Sequence, residues 1–181
     1  LTFILPNKRA GVFLKQELST HTTEASFLPE ICSIESFVEE LSQLKKINAV
    51  ELLFEFYGVY TSVTPKNKQE SFDQFSKWAP MVIQDFNEID RYLIPPSKIF
   101  DYLSAIQHIN HWSLEPNPTA MVKGYLYFWQ ELKHYYTRLA NQLLNKGIGY
   151  QGLMYRTAVD NIEEYIQNSK RSQHIFLGFN A

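Results

Sequence analysis

The chain opens with LTFILPNKRAGVFLKQEL, residues 1–18, and the fold prediction starts from this pattern. Leu1 to Leu5 are a largely apolar run, too short for a buried helix and typical of a strand that is covered on both faces. Pro6 ends any strand pairing directly afterwards, because proline has no backbone N–H to donate. Apolar residues then recur at helical spacing up to Leu18. The sequence therefore predicts a strand, a polar turn and an amphipathic helix.

The polar turn contains Asn7, Lys8 and Arg9. It lies at the carboxyl end of the predicted strand and beside the N-terminus of the predicted helix. Ligands of open α/β sheets bind at this edge, and the free N–H groups of a helix start favour phosphate and other anions. We therefore expect an anion-binding turn. The alternative is that Lys8 and Arg9 are ordinary turn charges without a ligand.

The same pattern is repeated from residue 30 onward. Glu30 to Ile34 favour a second short strand, with Cys32 in the core. Either Ser33 or Ser36 then opens a helix, since serine is a preferred capping residue and acidic residues follow it.

A long helical region is predicted from about residue 48. Apolar residues at helical spacing predict successive helices, the last of them from Leu153 to Ile166. Pro80 interrupts one of these stripes, which predicts either a kink or two abutting helices. The aromatic stripes on these helices are interpreted as core rather than as base-stacking surfaces. A final apolar run, His174 to Leu177, predicts a strand that stops at Gly178.

The predicted order is β-α-β-α, a helical block, and a strand. Because the closing strand is as apolar as the first, we expect an α/β fold with one small parallel sheet and a large helical-bundle insertion. Residues 1–47 and 170–181 would form the α/β core, and residues 48–169 the insertion.

Composition excludes several classes of protein. The formal net charge of −2 argues against a wholly basic nucleic-acid module, although a local patch could still bind phosphates. Cys32 is the only cysteine, which excludes an internal disulfide and any multi-cysteine metal site. The sequence has no apolar run of membrane-spanning length and no signal-peptide pattern, so we expect a cytoplasmic protein with no membrane partner.

No constellation for catalysis or metal binding is evident. His108 and His111 stand three residues apart without acidic or cysteine ligands at metal spacing. Acidic pairs such as Asp85 with Glu88 lack a nucleophile or a histidine partner and are interpreted as surface charge. We expect neither a cofactor nor a catalytic residue in this chain.

The opening residues resemble a known family. TFILPNKRAGVFLKQEL, residues 2–18, resembles motif Ia of superfamily 1 helicases, in which a strand ends in a polar turn that touches single-stranded DNA. ICSIESF, residues 31–37, is similar to the following segment, a Thr/Ser-x-x-Ser-Phe turn that contacts DNA. Residues 174–181 are similar to the strand of motif II, the Walker B segment, and the helical block stands where such helicases carry a helical subdomain. The resemblance implies a sheet of the helicase-like P-loop NTPase type.

The chain departs from active helicases at one decisive place. Gly178 and Phe179 stand where the Walker B motif has Asp-Glu, and neither side chain can hold Mg²⁺ or accept a proton. The Walker A motif is also missing from residues 1–181. With PNKRAG and GFNA, the chain resembles the inactivated helicase-like N-terminal region of AddB-like proteins of the PD-(D/E)XK nuclease superfamily.

This resemblance implies a non-catalytic DNA-binding or structural region of a bacterial helicase-nuclease that acts in double-strand-break repair. Asn7, Lys8, Arg9 and Ser36 would contact DNA, single-stranded or at a duplex end, and a helicase or nuclease subunit would be the protein partner. The chain would be a piece of a longer protein whose nuclease domain lies elsewhere. Two alternatives remain: a scaffold that docks a helicase partner without binding DNA, and an active ATPase fragment whose Walker A loop precedes Leu1.

Overall fold

A computed structural model describes residues 1–21, 27–103, 120–169 and 173–179. They form a mixed α/β structure in which helices predominate and the strands are parallel, as the sequence predicts. The elements in chain order are β1 (Thr2–Leu5), α1 (Lys8–His21), β2 (Glu30–Ser33), α2 (Ile34–Ser42), β3 (Lys45–Lys46), α3 (Ala49–Val63), a 3-10 turn (Lys66–Lys68), α4 (Phe72–Arg91), α5 (96–103), α6 (Ala120–Asn145), β4 (Ile148–Gly149), α7 (Gln151–Asp160), α8 (Ile162–Asn168) and β5 (His174–Phe176).

The larger sheet is three-stranded, parallel, and ordered β2-β1-β5. Thr2 of β1 is opposite Glu30 of β2 on one side and His174 of β5 on the other. The N–H of Leu177 continues the pairing by donating to the carbonyl of Ile4, at 3.0 Å. The prediction that the first and last strands pair in one parallel sheet is confirmed.

Two compact units divide the chain. The first comprises residues 1–44 and 157–181 and contains the three-stranded sheet; the second comprises residues 45–156. The predicted insertion, residues 48–169, differs from the second unit at both ends: residues 45–47 also belong to the second unit, and residues 157–169 belong to the first. Ala158 is part of the core of the first unit with Ile4 and Phe37, and Tyr165 packs against that core.

The predicted single helix from Leu153 to Ile166 is wrong. Two helices, α7 and α8, meet at Asn161. The side-chain amide of Asn161 donates to the carbonyl of Leu41 at 3.0 Å. An asparagine side chain that bonds to another backbone group competes with the hydrogen bonds of the helix. The apolar residues on both sides of Asn161 keep helical spacing, so the sequence does not reveal the break.

The second unit is built around packed aromatic side chains on α3, α4 and α6. Phe56 and Phe75 are fully buried with ring centroids 5.2 Å apart, and the Phe56 ring also lies 6.0 Å from that of Tyr135. Tyr135 and Tyr136 are buried, so the core interpretation of these two aromatic residues is confirmed. Trp112 and the histidines at 108 and 111 lie outside the described residues.

Pro80 lies inside α4, which is one continuous helix from Phe72 to Arg91. The alternative of two abutting helices is therefore wrong. Pro80 is exposed and has no N–H to donate to the carbonyl of Ser76, the bond that an ordinary residue at position 80 would make.

A short parallel pair, β3 with β4, was not predicted. Lys45 is opposite Ile148, and Lys46 is opposite Gly149. Two consecutive lysines do not show the alternation of apolar and polar residues by which a strand is recognised in a sequence. The strand forms because it pairs with residues about a hundred positions away.

The second unit also contains a buried carboxylate. Asp90 is fully buried and accepts hydrogen bonds from the hydroxyls of Tyr136 and Tyr150 and, at 2.6 Å, from Nε of Arg156. Burial, reinforced by the neighbouring Asp90, raises the pKa of both tyrosines. Because these contacts join the C-terminal turn of α4 to α6, to α7 and to the residue before α7, we assign the cluster a structural role.

Candidate nucleic-acid interface

The turn after β1 is shaped by the cap of α1. Oδ1 of Asn7 accepts a hydrogen bond from the N–H of Ala10, at 2.9 Å. This cap satisfies one free donor of the helix and sets the first helical turn, which contains Lys8 and Arg9, at the carboxyl end of β1. The amide nitrogen of Asn7 takes no part in the cap and remains a donor at the exposed face of the turn.

The turn after β2 is built in the same way. Ser33 caps α2, since its hydroxyl accepts from the N–H of Ser36 at 3.2 Å. Of the two serines left open by the sequence, Ser33 is therefore the cap, and Ser36 lies in the first turn. The two hydroxyl oxygens are 3.1 Å apart. Ser33 is buried and Ser36 half-buried, so the Ser36 hydroxyl is the more accessible of the two to a ligand at the surface.

These two helix starts border a cleft of about 290 Å³. We call it the β1-β2 cleft. It brings together three of the four predicted DNA-binding residues, Asn7, Lys8 and Ser36. None of the residues that line the cleft is acidic, and Glu35 lies beside Ser36 in the first turn of α2. The N-terminus of α1, whose first turn has no acidic residue, adds positive potential. Its lining residues are Asn7, Lys8, Gly11, Val12, Lys15, Ile31, Cys32, Ser33 and Ser36.

Gly11 sets the depth of the cleft. It is buried, and a Cβ placed on it would be 3.2 Å from Cγ2 of Ile31 and 3.7 Å from Cδ1 of Leu5. Because there is no side chain at this position, α1 can lie directly against β1 and β2. The floor between the two helix starts is therefore apolar, while its rim is cationic on the α1 side and hydroxylic on the α2 side.

Arg9, the fourth predicted residue, does not line the cleft. Its guanidinium carbon lies 5.8 Å from the centre of the Phe13 ring, and both side chains are exposed. Arg9 and Lys8 are adjacent on a helix and therefore point about 100° apart. A contact between Arg9 and DNA stays a prediction, and it would be made outside the β1-β2 cleft.

Lys15 lines the cleft and was missed by the sequence analysis. The signal that could have found it is helical periodicity: residues 8, 11, 12 and 15 share one face of α1. That face contains two lysines, a glycine and a valine, so it lacks the apolar stripe by which one face of a helix is recognised in a sequence.

Gly178 and Phe179 follow β5 at the same edge of the sheet. Gly178 has a φ of +81°, and a Cβ placed on it would be 3.6 Å from Cδ of Pro6, the residue before Asn7. A carboxylate residue at position 178 would be strained in this left-handed conformation. Phe179 is exposed, with its ring 6.0 Å from that of Phe176. Neither position offers an oxygen or nitrogen side-chain ligand for a metal.

Among residues 1–21, 27–103, 120–169 and 173–179, no group of three or more His, Cys, Asp or Glu side chains could hold a metal ion. None of the helices in these ranges has both the length and the apolar character needed to cross a membrane.

No protein-family model matches the chain, and no curated protein matches it at a significant level.

Proposed function

We propose that this chain is a non-catalytic, helicase-like DNA-binding region of a helicase-nuclease that acts in double-strand-break repair, of the AddB-like kind. The observation that supports it best is the β1-β2 cleft, in which Asn7, Lys8 and Ser36 converge at the carboxyl edge of a parallel sheet. Phosphate contacts from lysine, hydroxyl and amide donors are the usual means of holding a nucleic-acid backbone.

Each residue has a definite role in this proposal. Lys8 neutralises a phosphate and releases its counterion. Ser33 accepts from the backbone of Ser36 and can donate to its hydroxyl oxygen, which leaves the Ser36 O–H to donate to a phosphate oxygen. The amide nitrogen of Asn7 donates to a neighbouring phosphate or base oxygen, and Arg9 adds an outer electrostatic contact.

The same proposal assigns no ATP hydrolysis to this chain. Hydrolysis requires a carboxylate to hold Mg²⁺ and orient water. Gly178 and Phe179, at the edge where β5 ends, supply no carboxylate, and the backbone conformation at Gly178 disfavours one.

A second candidate is a scaffold that docks a helicase subunit without touching DNA. It is favoured by the edge strand β5 and the residue that follows it, where Ile175, Phe176 and Leu177 are 38%, 57% and 44% exposed. Apolar side chains on a sheet edge are typical of a surface that another polypeptide covers. This function predicts no DNA binding at low salt and a subunit interaction that Leu177→Asp abolishes.

Fluorescence polarisation with a labelled single strand at low salt separates the two functions. We expect the wild-type chain to bind, and Lys8→Ala and Ser36→Ala each to weaken binding several-fold. Lys66→Ala is the matched control, because Lys66 is an exposed lysine of the second unit. Equal binding by wild type, Lys8→Ala and Ser36→Ala would refute the role of the cleft.

A further inference from the structure

We propose that Lys15 is a second phosphate-binding residue of the β1-β2 cleft, so that the cleft holds a phosphate-sugar-phosphate unit of one DNA strand and not an isolated phosphate. This inference rests on the proposed DNA-binding function and adds a contact beyond the residues already assigned to it.

The helix geometry places Lys15 beside Lys8. Seven residues correspond to a rotation of about 700°, which returns the side chain to within about 20° of the same direction. The rise of 1.5 Å per residue separates the two Cα atoms by about 10 Å along the axis of α1. Both side chains line the same cleft, in agreement with this geometry.

The separation decides what the two lysines can bind. Two lysines whose Cα atoms lie about 10 Å apart bring their ammonium groups to one phosphate only by bending both flexible stems toward each other, at an entropic cost. They can each neutralise a different phosphate of one strand that runs parallel to α1. The strand would then pass from the cap of α1 toward the middle of the helix.

The surface between the two lysines suits a sugar. Gly11 and Val12 lie between them on α1, and Ile31 and Cys32 form the adjacent floor on β2. The cleft therefore alternates cation, apolar surface and cation along its length. A nucleic-acid strand alternates phosphate, sugar and phosphate in the same way.

Lys8 and Lys15 can both offer a positive charge to a DNA strand. In the described part of the chain, no ion pair joins Lys8 or Lys15 to an acidic residue, and both side chains are exposed. The nearest carboxylate in sequence, Glu17, lies 3.8 Å from the imidazole of His21, and it does not line the cleft. Both lysines can therefore exchange solvent counterions for phosphates.

The test is the salt dependence of binding to a labelled single strand of mixed sequence, measured by fluorescence polarisation. Each lysine that neutralises a phosphate contributes about 0.7 to the slope of log affinity against log salt. This slope is negative, because affinity falls as salt rises. We expect Lys15→Ala and Lys8→Ala each to make it less steep by about 0.7, and the double variant by about 1.4. Between 50 and 200 mM salt, the wild-type affinity should then fall about 2.6-fold more than that of Lys15→Ala.

Two controls separate charge from structure. Lys15→Arg should keep the wild-type slope, since the charge is retained, and Lys66→Ala should keep it because that lysine lies in the other unit. Thermal unfolding should be the same for Lys15→Ala and the wild type, since the side chain is exposed.

The possible outcomes distinguish this inference from the function on which it rests. If Lys8→Ala makes the slope less steep while Lys15→Ala leaves it unchanged, the cleft binds DNA but Lys15 does not contact it. A weaker affinity of Lys15→Ala with an unchanged slope would also overturn the inference, because it indicates a packing effect. If the wild-type chain does not bind, or neither variant changes the slope, both the inference and the cleft's role fail.

Discussion

Replacing Gly152 by alanine should destabilise the second unit strongly. Gly152 lies in the first turn of α7, and its N–H donates to Oδ1 of Asn87 on α4 at 2.8 Å. A Cβ on Gly152 would be 2.2 Å from the carbonyl oxygen of Asn87 and 3.0 Å from the backbone nitrogen of Arg91. Both of these atoms belong to the backbone of α4, so a change of side-chain rotamer cannot relieve the clash.

The size of the effect follows from the distance. Ordinary van der Waals contact begins at 3.4 Å, so α7 and α4 must separate by about 1.2 Å at this point. Overpacking of this kind costs about 1–3 kcal/mol, and loss of the Gly152–Asn87 hydrogen bond adds about 1 kcal/mol. The higher helix propensity of alanine returns up to about 1 kcal/mol. We expect a net loss of about 2–3 kcal/mol.

Gly58→Ala is the matched control. Gly58 lies within α3 and is exposed, and a Cβ placed on it would meet no atom within 4 Å. The same chemical change should therefore stabilise the protein by about 0.5–1 kcal/mol.

Thermal unfolding followed by circular dichroism measures both variants. For a chain of this size, each kcal/mol shifts Tm by about 2–4 °C, so Gly152→Ala should unfold about 4–12 °C below the wild type and Gly58→Ala slightly above it. A Tm of Gly152→Ala at or above the wild-type value would refute the close approach of α7 to α4.

Two further predictions concern buried and half-buried charge. Asp90→Ala should lower the free energy of unfolding in urea by about 3–5 kcal/mol, because it leaves the half-buried Arg156 without its carboxylate partner. A loss below about 1 kcal/mol would contradict the structural role of Asp90. Lys146 donates to both carboxylate oxygens of Glu55 at 2.7 Å, and this hydrogen bond lowers the pKa of Glu55 below 4.5. A lowered folded-state pKa stabilises the protein above about pH 4.5, and this stabilisation is lost as the pH falls through the folded-state pKa. Lys146→Ala should therefore lose about 0.5–1 kcal/mol at neutral pH and converge with the wild type in acid, whereas a difference that is constant with pH would argue against the pair.

Several features of the candidate site were predictable because they are local. The apolar run before Pro6 and the helical spacing after it predict a strand and a helix within eighteen residues. The capping residues Asn7 and Ser33 belong to the types that satisfy free N–H groups. Once two strand-helix units are parallel neighbours, their polar turns must share one edge of the sheet.

The composition of the cleft could not be predicted in the same way. Whether Arg9 or Lys15 faces it depends on the rotation of α1 about its axis. That rotation is set by the contacts of Gly11 with Leu5 and with Ile31, and Ile31 belongs to a different strand further along the chain.

The strands, helix starts and polar turns of the α/β core could be read from the amino-acid sequence, because each depends on hydrogen bonding and side-chain periodicity within a few residues. The break at Asn161, the pairing of β3 with β4 and the lining of the cleft became evident only in the folded chain. Each of these results from contacts between residues distant along the chain, and the local pattern of apolar and polar residues does not encode such contacts.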